Sequence, residues 1–197
     1  MKRILLILIV VIVVPIVYLI INNYNNVPKL DEDVKEKWSQ VQNQYKRRAD
    51  LIPNLVSTVK AYAEHEKSTF VEVTEARSKV SQINVNADTL NNPAMMAQFS
   101  QAQAGLSSAL SKLMLVVEKY PDLKANKNFM ALQSQLEGTE NRITVARKDF
   151  ITSVKNYNIE LRTMPGKLVA AIVHPSAKVK ETFKASAAEQ EAPKVSF

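Results

Sequence analysis

Tyr45-Lys46-Arg47-Arg48-Ala49-Asp50-Leu51-Ile52-Pro53-Asn54-Leu55-Val56 stands in the middle of a long run whose periodicity decides the fold. Around it, apolar or aromatic residues fall at Val34, Trp38, Val41, Tyr45, Ile52, Leu55, Val59, Tyr62, Val73 and Val80. Steps of three and four place such residues on one side of a helix, and no other regular structure does so. The spacing predicts one helix from Asp31 to about Val80, with Arg48, Glu66 and Thr69 at seam positions between the apolar ones. Asp31 or Asp33 can cap its start and complement the positive end of its dipole. Pro53 removes one backbone hydrogen bond and predicts a kink, not a stop, because the seam continues in phase through Leu55 and Val59.

Upstream, Met1-Lys2-Arg3 is followed by Ile4 to Ile21, which carries no charge and is interrupted only by Pro15 and Tyr18. As a helix this run would span about 27 Å, close to a bilayer's hydrocarbon core, with Tyr18 near an interface. Asn22-Asn23-Tyr24-Asn25-Asn26 lacks a small-x-small cleavage site, so an uncleaved transmembrane anchor is expected. Lys2 and Arg3 on one side, against Lys29, Lys35 and Lys37 on the other, leave its orientation open. Residues 22–30 read as a polar linker.

Downstream, Asn84 to Asn92 reads as a loop, and Asn92-Pro93 as the start of a second helix to about Lys119. A turn at Pro121 to Asn128 leads to a third, with Phe129, Leu132, Leu136, Ile143, Ala146, Phe150, Val154, Tyr157 and Leu161 on its seam. Gly138 within it is a weak point or a close-contact site. Met164-Pro165-Gly166 ends it, Lys167 to Val173 reads as a short helix, and residues 174–197 as a mobile tail. The fold class is therefore all-α: a basic N-terminus (1–3), an N-terminal transmembrane helix (4–21), a linker (22–30) and an antiparallel bundle of three long helices plus a short C-terminal helix (31–173).

The net charge of +7 is not concentrated. Asp31 to Val80 holds nine basic and nine acidic residues, so the main helix is neutral and offers no basic stripe for nucleic acid. The absence of cysteine excludes disulfides, thiolate nucleophiles and thiolate metal sites. Glu64-His65-Glu66 is the one place where carboxylates flank an imidazole, but neighbours on a helix diverge by about 100° and cannot converge on a metal. His174, before a proline, reads as structural. No phosphate loop, serine elbow or small-molecule substrate site is evident, and no cofactor or enzymatic activity is expected.

Several blocks together resemble the LemA family of bacterial membrane proteins. Arg47, Arg48, Asp50, Pro53, Asn54, Glu66 and Arg77 belong to the first; Tyr120, Pro121, Glu140, Asn141 and Arg142 to the second; Tyr157, Asn158 and Pro165 to the third. Phe150-Ile151, Met164 and Val173-His174-Pro175 depart from the family's pattern. The resemblance implies a single-pass anchor in the bacterial inner membrane and a helical bundle, and carries over no catalytic residue.

Two roles fit: a membrane-anchored, non-catalytic scaffold or adaptor for protein partners or self-association, and a binder of anions or lipid headgroups through Arg47 and Arg48. Glu66 at a seam position requires a cation. With the third helix parallel to the first, Arg142 would lie level with it. A second helix shorter than the first would leave Val34, Trp38, Val41 and Tyr45 uncovered, a candidate contact face, unless the Pro121 to Asn128 turn or the tail around Phe183 folds back over it.

Overall fold

The computed structural model describes residues 2–83, 86 and 90–183. Among them the regular structure is helical: α1 Lys2–Lys60, α2 Lys67–Gln82, α3 Pro93–Val117, α4 Pro121–Lys124, α5 Lys127–Arg162 and α6 Gly166–Val173. α1 rises, α2 descends beside it, α3 rises and α5 descends. The pairings that establish this are Arg77 on Ala49, Lys112 on Glu72, Asn126 on Tyr62 and Phe150 beside Trp38.

This arrangement corrects the expected single helix from Asp31 to Val80 and the expected bundle of three long helices. The chain leaves α1 after Lys60 and turns through Ala61–Glu66, where the Glu66 N–H donates to the Ala63 carbonyl and the Glu66 carbonyl accepts from Thr69 and Phe70. Between Val59 and Val73 the seam offers Glu66 and Thr69 in succession, neither of which gains by burial. Folding back lets Phe70 and Val73 join Leu55 and Val59 in one core, with the small Ala63 buried in the elbow. Pro53 is accommodated inside α1, on its exposed side.

The expected linker at 22–30 is also corrected, since α1 runs through it without interruption and Pro28 is helical. Val27 is buried with Val34 and Ala170, so this stretch is held by packing against α6. α1 carries the run Ile4 to Ile21 in helical form. Among the described residues no helix is long and apolar enough to cross a membrane, and the side chains of 5, 6, 8, 9, 12, 16 and 19–21 lie outside the description.

The interior divides into two clusters. The lower one gathers Val34, Trp38, Val41, Tyr45, Leu90, Phe99, Ile143, Phe150 and Val154; the upper one gathers Ile52, Leu55, Val59, Phe70, Leu106, Leu113, Leu123 and Phe129. α3 and α5 begin at Asn caps, Asn92 accepting from Ala94 and Met95, and Asn126 from Asn128 and Phe129. The tail is in part another correction: residues 174–183 pack back onto the bundle, while 184–197 lie outside the described residues.

Two glycines of the α5–α6 region have opposite meanings. A side chain at Gly138 would meet nothing, whereas at Gly166 it would run into the Glu160 carbonyl. Gly138→Ala should therefore raise stability in urea by roughly 0.5–1 kcal/mol by restricting the unfolded chain, and Gly166→Ala should lower it.

Candidate functional site

Arg48 lies between the two clusters, 1% exposed. Its Nη1 donates to Glu140 Oε1 at 2.8 Å on α5 and to Ser107 Oγ at 3.0 Å on α3, and its Nη2 donates to the Gln103 side chain. The Tyr45 ring lies 5.2 Å from its Cζ. A guanidinium is suited to this because its planar fork can address two helices at once. One residue further along α1, the Ala49 carbonyl accepts from Arg77 Nε at 2.9 Å, which joins α2 to the same level.

Below this layer a cleft of about 690 Å³ opens between α3 and α5. Its walls include Tyr45, Arg48, Gln103, Ser107, Glu140, Thr144 and Arg147, and its lower end is closed by Glu181, Thr182 and Phe183. Burial pushes the Tyr45 hydroxyl above its ordinary value, opposed by the positive charges of Arg147 and Arg48.

The segment that closes the cleft is held at three points. Asn158 pairs with the main chain of Lys180 in both directions, at 2.9 Å each. Lys180, only 7% exposed, places its Nζ 2.7 Å from Asp31 Oδ1 and 5.0 Å from the Tyr157 ring centre. Phe183 sits among Trp38, Phe99 and Phe150 with ring centres 5.7–6.4 Å apart, and the Arg147 guanidinium lies 4.4 Å over it.

Val34, Trp38, Val41 and Tyr45, the expected contact face, are thus buried, Trp38 at 1% exposure. The reason is height. With α1 folded back at Lys60, α3 starts low enough for Phe99 to reach Trp38, and α5 and the 180–183 segment cover the remainder. The expected Glu66–Arg142 pair is also corrected. α5 is antiparallel to α1, Glu66 lies half-exposed in the elbow, and Arg142 is exposed beside Gln40, Asn43 and Gln44. The buried cation and its acid are Arg48 and Glu140, from the same two sequence blocks.

Of the other motif residues, Arg47, Asp50, Pro53, Asn54 and Asn141 face outward. Arg77, Tyr157 and Asn158 make the contacts above, Tyr120 packs on the upper core, Pro121 opens α4, and Pro165 precedes α6 after a cis bond. Arg48 faces inward, which leaves Arg47 and its exposed neighbour Lys46 to serve the expected anion site. His65 and Glu64 are exposed, and no metal-binding group of three occurs among the described residues. His174 Nε2 lies 3.0 Å from the Tyr24 carbonyl. Gln103, Ser107 and Lys180 were not foreseen; Phe183, an aromatic residue in a polar tail, was the one available signal.

The pattern that defines the LemA family matches residues 37–197. The chain belongs to the LemA family. Magnetosome proteins MamQ 1 and MamQ 2 of Paramagnetospirillum magneticum are each 26% identical to it over 173 residues, covering 78% of this LemA chain and 62% of theirs. Protein LemA of Metamycoplasma hominis is 21% identical over 153 residues, covering 78% and 66%. The match thus spans less than two thirds of each of these relatives.

Two predictions follow from the paired charges. Glu140→Gln should cost about 1–3 kcal/mol in urea unfolding, because Arg48 cannot reach water when its carboxylate is lost, whereas Glu66→Gln should leave the midpoint unchanged. Burial alone would raise the Asp31 carboxyl, but hydrogen bonds from Lys180 and Lys35 and their charges outweigh it and hold the group below its ordinary value. Since the folded value lies below the unfolded one, this contribution is present above the ordinary carboxylate range and lost as pH falls through the depressed value. Trp38 emission should shift red as pH drops below about 4, and Asp31→Asn should show that shift already at neutral pH.

Proposed function

We propose that this LemA-family chain is a single-pass membrane-anchored, non-catalytic scaffold of the bacterial inner membrane that presents a helical bundle to protein partners. The observation that supports the reading is the continuity of α1. One helix, Lys2–Lys60, carries both the charge-free run Ile4 to Ile21 and the Val34, Trp38, Val41 and Tyr45 side of the core. Ile4, Ile7, Val10, Val11, Val13, Val14, Val17 and Tyr18 are exposed along that run, an apolar surface that favours lipid over water. Cleavage within 22–30 would cut a helix whose Val27 packs against α6 and whose Tyr24 meets His174, so retention of the anchor is the economical reading.

Carbonate extraction tests the anchor. The unaltered protein should remain in the membrane pellet. Val11→Asp combined with Val14→Asp, which costs about 5–7 kcal/mol of insertion, should move it to the supernatant. An unaltered protein found in the supernatant would overturn the anchor. In-membrane cross-linking from exposed bundle positions should capture protein partners; a bundle that yields none would overturn the scaffold role.

A further inference from the structure

The segment from Lys180 to Phe183 is seated as a peptide in a groove, and three kinds of contact hold it. Asn158 reads main chain only, accepting from the Lys180 N–H and donating to its carbonyl, so any residue could stand there as far as this pairing is concerned. The Glu181 N–H adds a third main-chain bond, to the Leu90 carbonyl at 3.0 Å. Side-chain selection comes from Asp31 beneath the lysine and from the aromatic box of Trp38, Phe99 and Phe150 around the phenylalanine.

The spacing of these readers matches the spacing of what they read. Asp31 and Trp38 are two helical turns apart on α1, about 10.5 Å. A lysine and a phenylalanine three residues apart in extended chain are separated by about 10 Å. The spacing of the groove therefore fits Lys-x-x-Phe in extended form. Lys180-Glu181-Thr182-Phe183 has this pattern, and so does Lys194-Val195-Ser196-Phe197, with a hydroxyl residue before the phenylalanine in both. Lys67-Ser68-Thr69-Phe70 repeats it too, but there it is wound into the first turn of α2 with Phe70 buried in the upper core.

We propose that the groove is a docking site between copies of this chain, which takes Lys194–Phe197 of a second copy in exchange for its own Lys180–Phe183. The second copy is the favoured donor for an entropic reason. For its own Lys194–Phe197 to enter, residues 180–193 would have to be closed as an added loop between α6 and the groove. A neighbour of equal height keeps its own Lys180–Phe183 seated and reaches across with residues 184–193, which span up to about 33 Å. This deepens the scaffold reading by naming one partner, and its test is made in detergent micelles, so its failure would not touch the anchor.

The chain has no cysteine, which makes a two-cysteine test clean. Thr144 and Thr182 line the same cleft, so Ser196 seated in place of Thr182 would share that cleft with Thr144. Full-length protein carrying Phe183→Ala and Thr144→Cys, its own segment thus released, is mixed with full-length protein carrying Ser196→Cys. A disulfide-linked dimer is expected. It should be lost when Phe197→Ala is added to the donor or Asp31→Asn to the acceptor, and should fall about tenfold when the acceptor keeps Phe183, because its open state is then rarely populated. Should Phe183→Ala fail to give a helical circular dichroism spectrum, Lys180→Gln replaces it. Dimer no greater than in the Phe197→Ala control, or a bond formed only when both cysteines lie in one chain, would overturn the proposal.

Discussion

The buried guanidinium of Arg48 is the constraint on which the rest of the bundle depends. A charge at 1% exposure is tolerated only where it is well paired, and here the two Nη groups donate to Glu140 on α5 and to Gln103 and Ser107 on α3, while Nε has no partner among the described residues. With Arg77 on the adjacent carbonyl of Ala49, every long helix of the bundle meets α1 at one height. A shift of α3 or α5 by one turn would leave this buried cation without an acceptor, at a cost far above that of repacking an aliphatic contact. The layer thus sets register, while the apolar clusters above and below it supply the driving force. Glu140 keeps part of its surface in water, so the layer joins a dry interior to the open cleft.

The lower half of the bundle depends on a segment that is not helical. α2 ends at Gln82 and α3 starts at Pro93, so beside Trp38 there is room that no helix fills. Residues 180–183 occupy it, with Phe183 closing the aromatic cluster and Lys180 reaching the start of the core at Asp31. The arrangement balances opposite tendencies. The aromatic ring gains by leaving water, whereas a lysine at 7% exposure is bearable only because Asp31 and the Tyr157 ring receive it. A core completed by a short, separately held segment is more easily opened than one completed by a helix, since fewer contacts have to be lost together.

α1 links these features to the apolar run at its start. It supplies Arg48 to the polar layer, Trp38 to the aromatic cluster, Asp31 to the lysine, and Val27 and the Tyr24 carbonyl to the α6 region. All of these lie on one unbroken helix, so whatever orients its first turns orients the groove as well.

Periodicity alone determined that the chain is helical, where α3, α5 and α6 lie, and that α1 is the central seam, because the three-and-four spacing of large apolar residues admits no other regular structure. The blocks around Arg48 and Glu140 were legible as family motifs, though with Glu66 and Arg142 as the expected pair, and Asn92-Pro93 as a helix start. Tertiary structure alone decided the elbow at Ala61–Glu66. Ala, Tyr and Glu are all compatible with helix, and only the gain of bringing Phe70 and Val73 onto Leu55 and Val59 favours the turn. The elbow in turn reversed α5 relative to α1, so that Glu140 rather than Arg142 supplied the partner, and Arg48 rather than Glu66 was the buried charge. It also brought α3 down over Trp38 and turned an expected outer face into core. The seating of Lys180 and Phe183 depends on Asp31, Asn158 and Phe150, each far away in the chain, and local spacing carries no information about such a meeting.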